Sequence, residues 1–228
     1  MNRTFPALTL AALFAFALTT RAQEGPTSNE ASRIRESITV LNEVMSTSDT
    51  SIPASITKKA EGIAIFPGTL KAGFIFGGMR GRGILSARNE DGWSVPTFMT
   101  LTGGSIGAQI GAQAVDVVLV VMSRRGLTNL VSNEFKVGAD AGVAAGPVGR
   151  EATVGTDVTM RAEILSYSRA RGLFAGINLN GSSIRGDDDA NQRFYGKPLK
   201  TADIIFKPMT APPAGVPDWQ AMLGRYAK

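Results

Sequence analysis

The sequence predicts an α+β protein in which a glycine-rich, mostly antiparallel sheet or partial barrel carries flanking N- and C-terminal helices. Three observations support this fold class. Apolar residues recur at helical spacing near both ends of the chain, β-branched runs between turn signals fill the middle, and glycine supplies 26 of 228 residues. No sequence repeat of fixed period is present, so a solenoid or propeller is not expected.

The first 22 residues have the pattern of a secretory signal peptide. Arg3 gives a positive start, Phe5–Leu18 is an apolar stretch of 14 residues, and Thr20–Ala22 is a plausible small-x-small cleavage site. A stretch this short is a poor membrane span. We therefore expect an exported protein, periplasmic or secreted. Removal of Arg3 and Arg21 would lower its formal charge from +5 to +3.

The mature chain is expected to open with helices. Residues 23–29 form a short polar linker, and Thr27 with Glu30 has the spacing of a helix capping box. The periodicity predicts a helix over 30–46, followed by a second, short helix over 53–59. The core face of the first helix is predicted to carry four apolar residues, namely Ile34, Ile38, Leu41 and Met45.

From Gly62 onward, short apolar runs alternate with glycine-rich turn signals, which predicts strands. The run Val117–Met122 is continuously apolar and is therefore expected to be a fully buried strand. The other expected elements are a strand at 63–66 ended by Pro67-Gly68, a hairpin of 73–87 with 93–96 closed by residues 89–92, and further strands within 135–148 and 162–179.

Helical signals return in the second half of the chain. A short helix is expected within 123–132, and one or two helical turns over 187–195. Trp219, Met222, Leu223 and Tyr226 have the spacing of a last amphipathic helix. The sequence therefore divides into a signal peptide (1–22), a linker (23–29), one domain (30–206) and a proline-containing tail with a short C-terminal helix (207–228).

The composition argues against an enzyme. The chain contains no His and no Cys, which removes Ser-His-Asp triads, cysteine nucleophiles, Cys/His zinc sites and histidine general bases. We predict a non-enzymatic protein without cofactor or metal. Four acids remain as candidates for a glycosidase pair, but no spacing singles out two of them. They are Asp116, Asp140, Asp157 and Glu163.

Three other motifs have structural explanations that we favour over functional ones. The glycines of 77–83 do not spell a nucleotide-binding fingerprint and are expected to let strands bend or approach closely. The stretch 103–122 has the length of a membrane span but contains Gln109, Gln113 and Asp116, so a loop or strand is favoured. Asp187–Asp189 lacks the alternating spacing of a calcium loop and is expected to be a turn or helix start.

Short motifs also follow one another in a recognisable order over residues 28–196, about three quarters of the chain. They are Ile52-Pro53, Lys59–Pro67 (KAEGIAIFP), Gly81–Leu85 (GRGIL), Gly92–Pro96 (GWSVP), Gly107–Ala112 (GAQIGA), Ala144–Arg150 (AAGPVGR), Ser166–Ser168 (SYS) with Gly172–Gly176 (GLFAG), and Tyr195-Gly196. Their order resembles the SYLF domain family, a lipid-binding module that is also called the Ysc-type actin-binding domain.

The resemblance implies binding of anionic phospholipids without catalysis. It implies phosphoinositide binding for eukaryotic members and links to actin bundling for fungal ones. A signal peptide without an SH3 or FYVE module indicates an exported, stand-alone bacterial member, which weakens the expectation of phosphoinositide specificity and actin binding. The expected partner is an anionic phospholipid membrane surface bound peripherally. The alternative is a structural or protein-binding component of the cell envelope.

The predicted lipid-binding residues lie on or beside the first motifs of that series. Arg80 and Arg82 are two residues apart, so on an extended strand they would share one face. Nucleic acid is not an expected partner, because only 7% of the residues are aromatic and the positive charge is sparse. The complete set of predicted lipid-binding residues is Lys58, Lys59, Lys71, Arg80 and Arg82.

Overall fold

The computed structural model describes residues 27–46, 51–73, 76–106, 111–149, 162–170, 173–174, 179–209 and 211–227. The predicted signal peptide and Asp157 lie outside these ranges. Within them the α+β prediction is confirmed. In the part of the chain that the structure describes, ten strands form one curled, mostly antiparallel sheet resembling half a barrel, and six helices accompany it.

Among the described elements, two helices precede the first five strands, one helix separates these from the next five, and three helices follow. The order of strands in the sheet differs from their order in the sequence. The helices are α1 (Thr27–Ser46), α2 (Ala54–Thr57), α3 (Arg124–Leu130), α4 (Asp188–Tyr195), α5 (Thr201–Phe206) and α6 (Val216–Tyr226). The strands are β1 (Gly62–Gly73), β2 (Phe76–Asn89), β3 (Gly92–Trp93), β4 (Thr97–Ile106), β5 (Gly111–Val121), β6 (Phe135–Lys136), β7 (Val143–Ala145), β8 (Ile164–Ala170), β9 (Leu173–Phe174) and β10 (Ser183–Gly186).

The order of strands across the sheet is β6-β10-β4-β2-β1-β5-β8-β7, with β3 added to β2 and β9 to β8. The described pairings are antiparallel apart from that of β7 with β8. The middle of this order is formed by β4, β2, β1 and β5, the longest described strands. These four strands carry the candidate site.

The sheet is buried on both faces in its central part. Along β5, Val118 and Val120 join a core with α1 and α6, whereas Val117, Leu119 and Val121 join a second core with α3. We call these two sides the α1 face and the α3 face. A strand covered on both sides is expected to be apolar throughout, so the prediction for this run is confirmed.

Strand β1 is longer than the sequence suggested. It was expected to end at Pro67-Gly68, but it continues to Gly73 through a bulge between Phe66 and Thr69. Gly68 adopts a left-handed φ of +54°, and its N–H donates to Asp116 Oδ1 at 2.9 Å. Pro67-Gly68 does interrupt the regular strand, but the Asp116 carboxylate stabilises this interruption as a bulge and the strand continues beyond it. The bulge resets which residues of β1 lie on which face.

Glycine permits the close approach of strands at this bulge. A Cβ on Gly83 of β2 would lie 2.1 Å from the carbonyl oxygen of Ile65, closer than any side chain tolerates. The prediction that glycines of this stretch serve strand packing is confirmed at this position.

Helix α1 packs on the sheet, but its core face differs from the prediction. It begins at Thr27 rather than Glu30. Of the four predicted core residues, Ile38 and Met45 are only half-buried, and only the other two are fully buried. The buried apolar residues are Ile34, Val40, Leu41 and Val44.

Two charged residues of α1, Glu30 and Arg33, are also buried. Arg193 of α4 donates to Glu30 Oε1 at 2.7 Å, and Arg33 donates to Asp187 at 3.1 Å. The hydrogen bond to Glu30 raises the pKa of the Arg193 guanidinium above its ordinary value. The N-terminal half of α1 is therefore held to α4 by ion pairs, which periodicity of apolar residues does not reveal.

The C-terminal region contains one helix more than predicted. α5 has no counterpart in the sequence interpretation, which placed no helix between 196 and 216. α6 confirms the last predicted helix. Its Trp219 is fully buried beside α1 and donates from Nε1 to Ser86 Oγ at 2.8 Å. The division of the chain at residue 206 stays a sequence-based prediction.

Candidate functional site

Arg80 and Arg82 lie on the extended strand β2 and point to the same, α1 face of the sheet. Arg80 stands opposite Leu70 of β1 and Thr102 of β4, and Arg82 stands opposite Thr100 of β4. Residues directly opposite each other on antiparallel strands share a face, so this pairing fixes the direction of both side chains. Both arginines are exposed. The predicted shared face is confirmed.

The two arginines line a cleft of about 450 Å³ between the N-terminal half of α1 and strands β1 and β2. We call it the arginine groove. Neither Arg80 nor Arg82 takes part in an ion pair within the described ranges. The groove is lined by Asn29, Ser32, Arg33, Glu36, Pro67, Gly68, Leu70, Arg80, Gly81 and Arg82.

The other charges of the arginine groove are Arg33 and Glu36. Arg33 is already engaged, because it pairs with Asp187 and its guanidinium lies 5.2 Å from the centre of the Phe98 ring. Glu36 is exposed and accepts a hydrogen bond from Ser32 at 2.9 Å. The formal charge of the lining is therefore positive, and Arg80 and Arg82 are its accessible cations. An anionic group is the ligand that such a groove favours.

The structure does not bring the three predicted lysines to the arginine groove. Lys71 pairs with Met79 and Gln113, so it points to the α3 face, away from Arg80. Lys58 and Lys59 are exposed at the turn after α2, just before β1 begins. Leu70 stands eight residues beyond the start of β1, roughly 25 Å along the strand. The five predicted residues therefore do not form one patch.

Leu70 is the functional candidate that the sequence interpretation missed. It is 51% exposed, although it lies in a strand of a well-packed sheet, directly beside Arg80. Within the described ranges, Val148 is the other large apolar residue with high exposure, at 41%. Recognising Pro67-Gly68 as a bulge would have placed the Leu70 side chain on the α1 face, together with Arg80 and Arg82. An apolar side chain beside free cations is typical of interaction surfaces.

The three candidate carboxylates in the described ranges all have structural partners. Asp116 Oδ1 and Oδ2 accept from Gly68 and Arg169, Asp140 accepts from the backbone N–H of Lys136 at 2.6 Å, and Glu163 pairs with Arg125 at 3.4 Å.

Asp187 confirms the helix start predicted for the Asp187–Asp189 run, since its side chain accepts from the N–H of Ala190 at the beginning of α4. The stretch 103–122 contributes to strands β4 and β5 in its described parts. Among the helices that the structure describes, none is both long enough and apolar enough to cross a bilayer.

A second cleft, of about 840 Å³, lies near the β2–β3 hairpin and is less suited to an anion. The guanidinium of Arg88 lies 4.8 Å from the ring of Trp93, and that of Arg124 lies 4.6 Å from the ring of Phe206. Its ionisable side chains balance in formal charge. They are Glu61, Glu90 and Asp91 against Arg88, Arg124 and Lys207.

Comparison with known proteins gives the family. The family model described as "Ysc84: Las17-binding protein actin regulator" matches residues 102–226, more than half of the chain. The chain belongs to the Ysc84 family. The resemblance to SYLF domains that the sequence motifs indicated is thereby confirmed. The matched stretch begins at Thr102, opposite Arg80, so the Ysc84 match itself does not include the two arginines.

Ysc84-family relatives in fungi and animals are similar over most of the chain. Protein YSC84 of Saccharomyces cerevisiae is 33% identical over 194 residues, covering 82% of this chain and 41% of that protein. LAS seventeen-binding protein 3 of the same species is 33% identical over 202 residues, covering 86% and 43%. SH3 domain-containing YSC84-like protein 1 of Bos taurus is 34% identical over 166 residues, covering 72% and 48%. The chain thus spans less than half the length of these relatives.

Proposed function

We propose that this Ysc84-family protein is an exported, non-enzymatic module that binds anionic phospholipid head groups peripherally through the arginine groove. The observation that carries the proposal is the pair Arg80 and Arg82, two exposed cations on one strand face without an ion-pair partner in the described ranges. Guanidinium groups in this arrangement can each hold a phosphate oxygen pair.

The proposed binding is local and reversible. Each Lys or Arg near an anionic membrane surface contributes about 1 kcal/mol, so two arginines support weak attachment. The formal charge of the whole chain is only +5, so the field of the molecule adds little and the groove must supply the attraction. Helix α1 serves the fold, because Ile34, Val40, Leu41 and Val44 are buried in the core that it forms with the sheet.

A protein partner is the second candidate. The family description names Las17 binding and actin regulation, which favours a protein ligand for relatives of this chain. For an exported copy, such a partner would be a component of the cell envelope with an acidic surface, because the same arginines would face it. A membrane test without any added protein separates the two candidates.

The parent protein is expected to float with vesicles of phosphatidylglycerol and phosphatidylcholine at low salt, and to remain unbound with phosphatidylcholine alone. Binding should weaken steeply as salt rises, because exposed charges are screened within about 8 Å at physiological ionic strength. Flotation across lipid composition and salt provides the measurement. Equal binding to neutral vesicles, or absence from both, would contradict the proposal, and absence from both would favour the protein partner.

Export is expected to remove residues 1–22, so that the mature protein begins near Gln23. The chain should be expressed with its own N-terminus in a bacterial host, and the intact mass of the protein in the periplasmic and extracellular fractions should be measured. Exported protein that retains residues 1–22, or protein found only in the cytoplasm, would contradict this part of the proposal.

A further inference from the structure

β1 ends at Gly73 and β2 begins at Phe76, and we call this end of the sheet its distal end. On the α1 face there, the side chains change from cationic to small and apolar along the strands. Strand pairing arranges four neighbouring strands into cross-strand rows there. The arginine row consists of Thr102, Arg80, Leu70 and Ala114, from β4 to β5. The outer row lies two residues farther along and consists of Gly104, Gly78, Ala72 and Ala112.

The outer row contains no side chain larger than a methyl group, and all four of its residues are exposed. Arg82 lies in the row next to the arginine row, on the side away from the outer row and opposite Thr100 of β4. Two residues along a strand correspond to roughly 7 Å. The face therefore changes from cationic to apolar over the last rows of the described sheet, with Leu70 level with Arg80.

This gradient matches the layering of a phospholipid bilayer. Head-group phosphates lie directly above hydrocarbon, and apolar faces of peripheral proteins enter by about 5–10 Å. The long stem of Arg80 can lie along the apolar row while its guanidinium reaches back to the phosphate level. An acidic protein surface would satisfy the arginines but would leave the exposed Leu70 and the outer row against polar groups.

We infer that the distal end of the sheet enters the membrane interface edge-on, with Leu70 and the outer row below the phosphates and Arg80 and Arg82 at their level. This inference rests on the proposed function and specifies how the same site meets the lipid. It predicts an apolar contribution to binding that remains when salt screens the arginines.

The chain has no cysteine, so a single introduced thiol can carry a polarity-sensitive fluorophore. The dye should be placed at Ala72→Cys and, as the matched control, at Val148→Cys. Val148 is also exposed but follows β7, which lies three strands from β1. With phosphatidylglycerol-containing vesicles, emission from position 72 should shift to shorter wavelength and be quenched by brominated acyl chains. Emission from position 148 should do neither.

Affinity for the same vesicles gives a second, label-free readout. Leu70→Asn is expected to weaken binding roughly fivefold at both low and high salt, since it removes the partial burial of one leucine. Val148→Asn should bind like the parent. The inference that the distal end enters the membrane would be overturned by two results together: a dye at position 72 that stays in water when the protein is bound, and an unchanged affinity of Leu70→Asn. If neutralising Arg80 and Arg82 still abolished binding, the proposed function would survive that result. If the parent did not bind at all, the proposed function itself would fail.

Discussion

Replacing Leu41 with aspartate is expected to unfold the protein or to lower its free energy of unfolding by at least about 4 kcal/mol. Leu41 is 1% exposed and lies in the core that α1 shares with the sheet and α6. The change leaves a cavity and places an unpaired carboxylate in it, and each of these alone is costly. Such a loss is a large part of the 5–15 kcal/mol that typically stabilises a domain.

Thr39→Asp is the matched control for this experiment. Thr39 is exposed on the same helix, so an aspartate there should change stability by no more than about 0.5 kcal/mol. Thermal and denaturant unfolding of both variants and the parent provide the comparison. If Leu41→Asp melted like the parent and lost only vesicle binding, α1 would be a membrane anchor rather than a core helix.

The fold class was predictable because its main determinants are local. The apolar run at Val117–Val121 requires cover on both faces, and the structure supplies it from α1 and α3. What the sequence concealed depends on contacts between distant residues. Glu30 is buried only because α4 brings Arg193 to it, and no helical periodicity encodes an ion pair between residues 163 positions apart. Ile38 fitted the apolar period but lies at the edge of the packed face.

The site was predictable in part for the same reason. Strand alternation alone placed Arg80 and Arg82 on one face. Lys58 and Lys59 are grouped with them because all four lie on or beside the first motifs of the family series, but β1 carries the chain to the other end of the sheet. The position of Leu70 beside Arg80 was not predictable, because Asp116 of β5 stabilises Pro67-Gly68 as a bulge rather than as the end of the strand. A long-range hydrogen bond therefore decides which side chains surround the arginines.

Charge reversal at Arg80 and Arg82 is expected to abolish binding to anionic vesicles. Two cations near the surface are lost and two repulsive carboxylates are added, which together weaken binding by at least roughly 30-fold. Both side chains are exposed and lack described ion-pair partners, so the fold should tolerate the change. Unfolding of the variant should be measured alongside binding, so that a loss of binding is attributed to the surface and not to instability.

We assign lipid binding to the arginine groove and not to the overall positive charge of the chain. Lys58→Glu/Lys59→Glu lowers the formal charge by the same four units as Arg80→Glu/Arg82→Glu, from +5 to +1, but at the opposite end of the sheet. Flotation of the two variants and the parent with phosphatidylglycerol-containing vesicles at low salt is the decisive measurement. We expect the lysine variant to float nearly as well as the parent and the arginine variant to stay unbound. Equal losses in both variants, or binding retained by a folded arginine variant, would contradict the assignment.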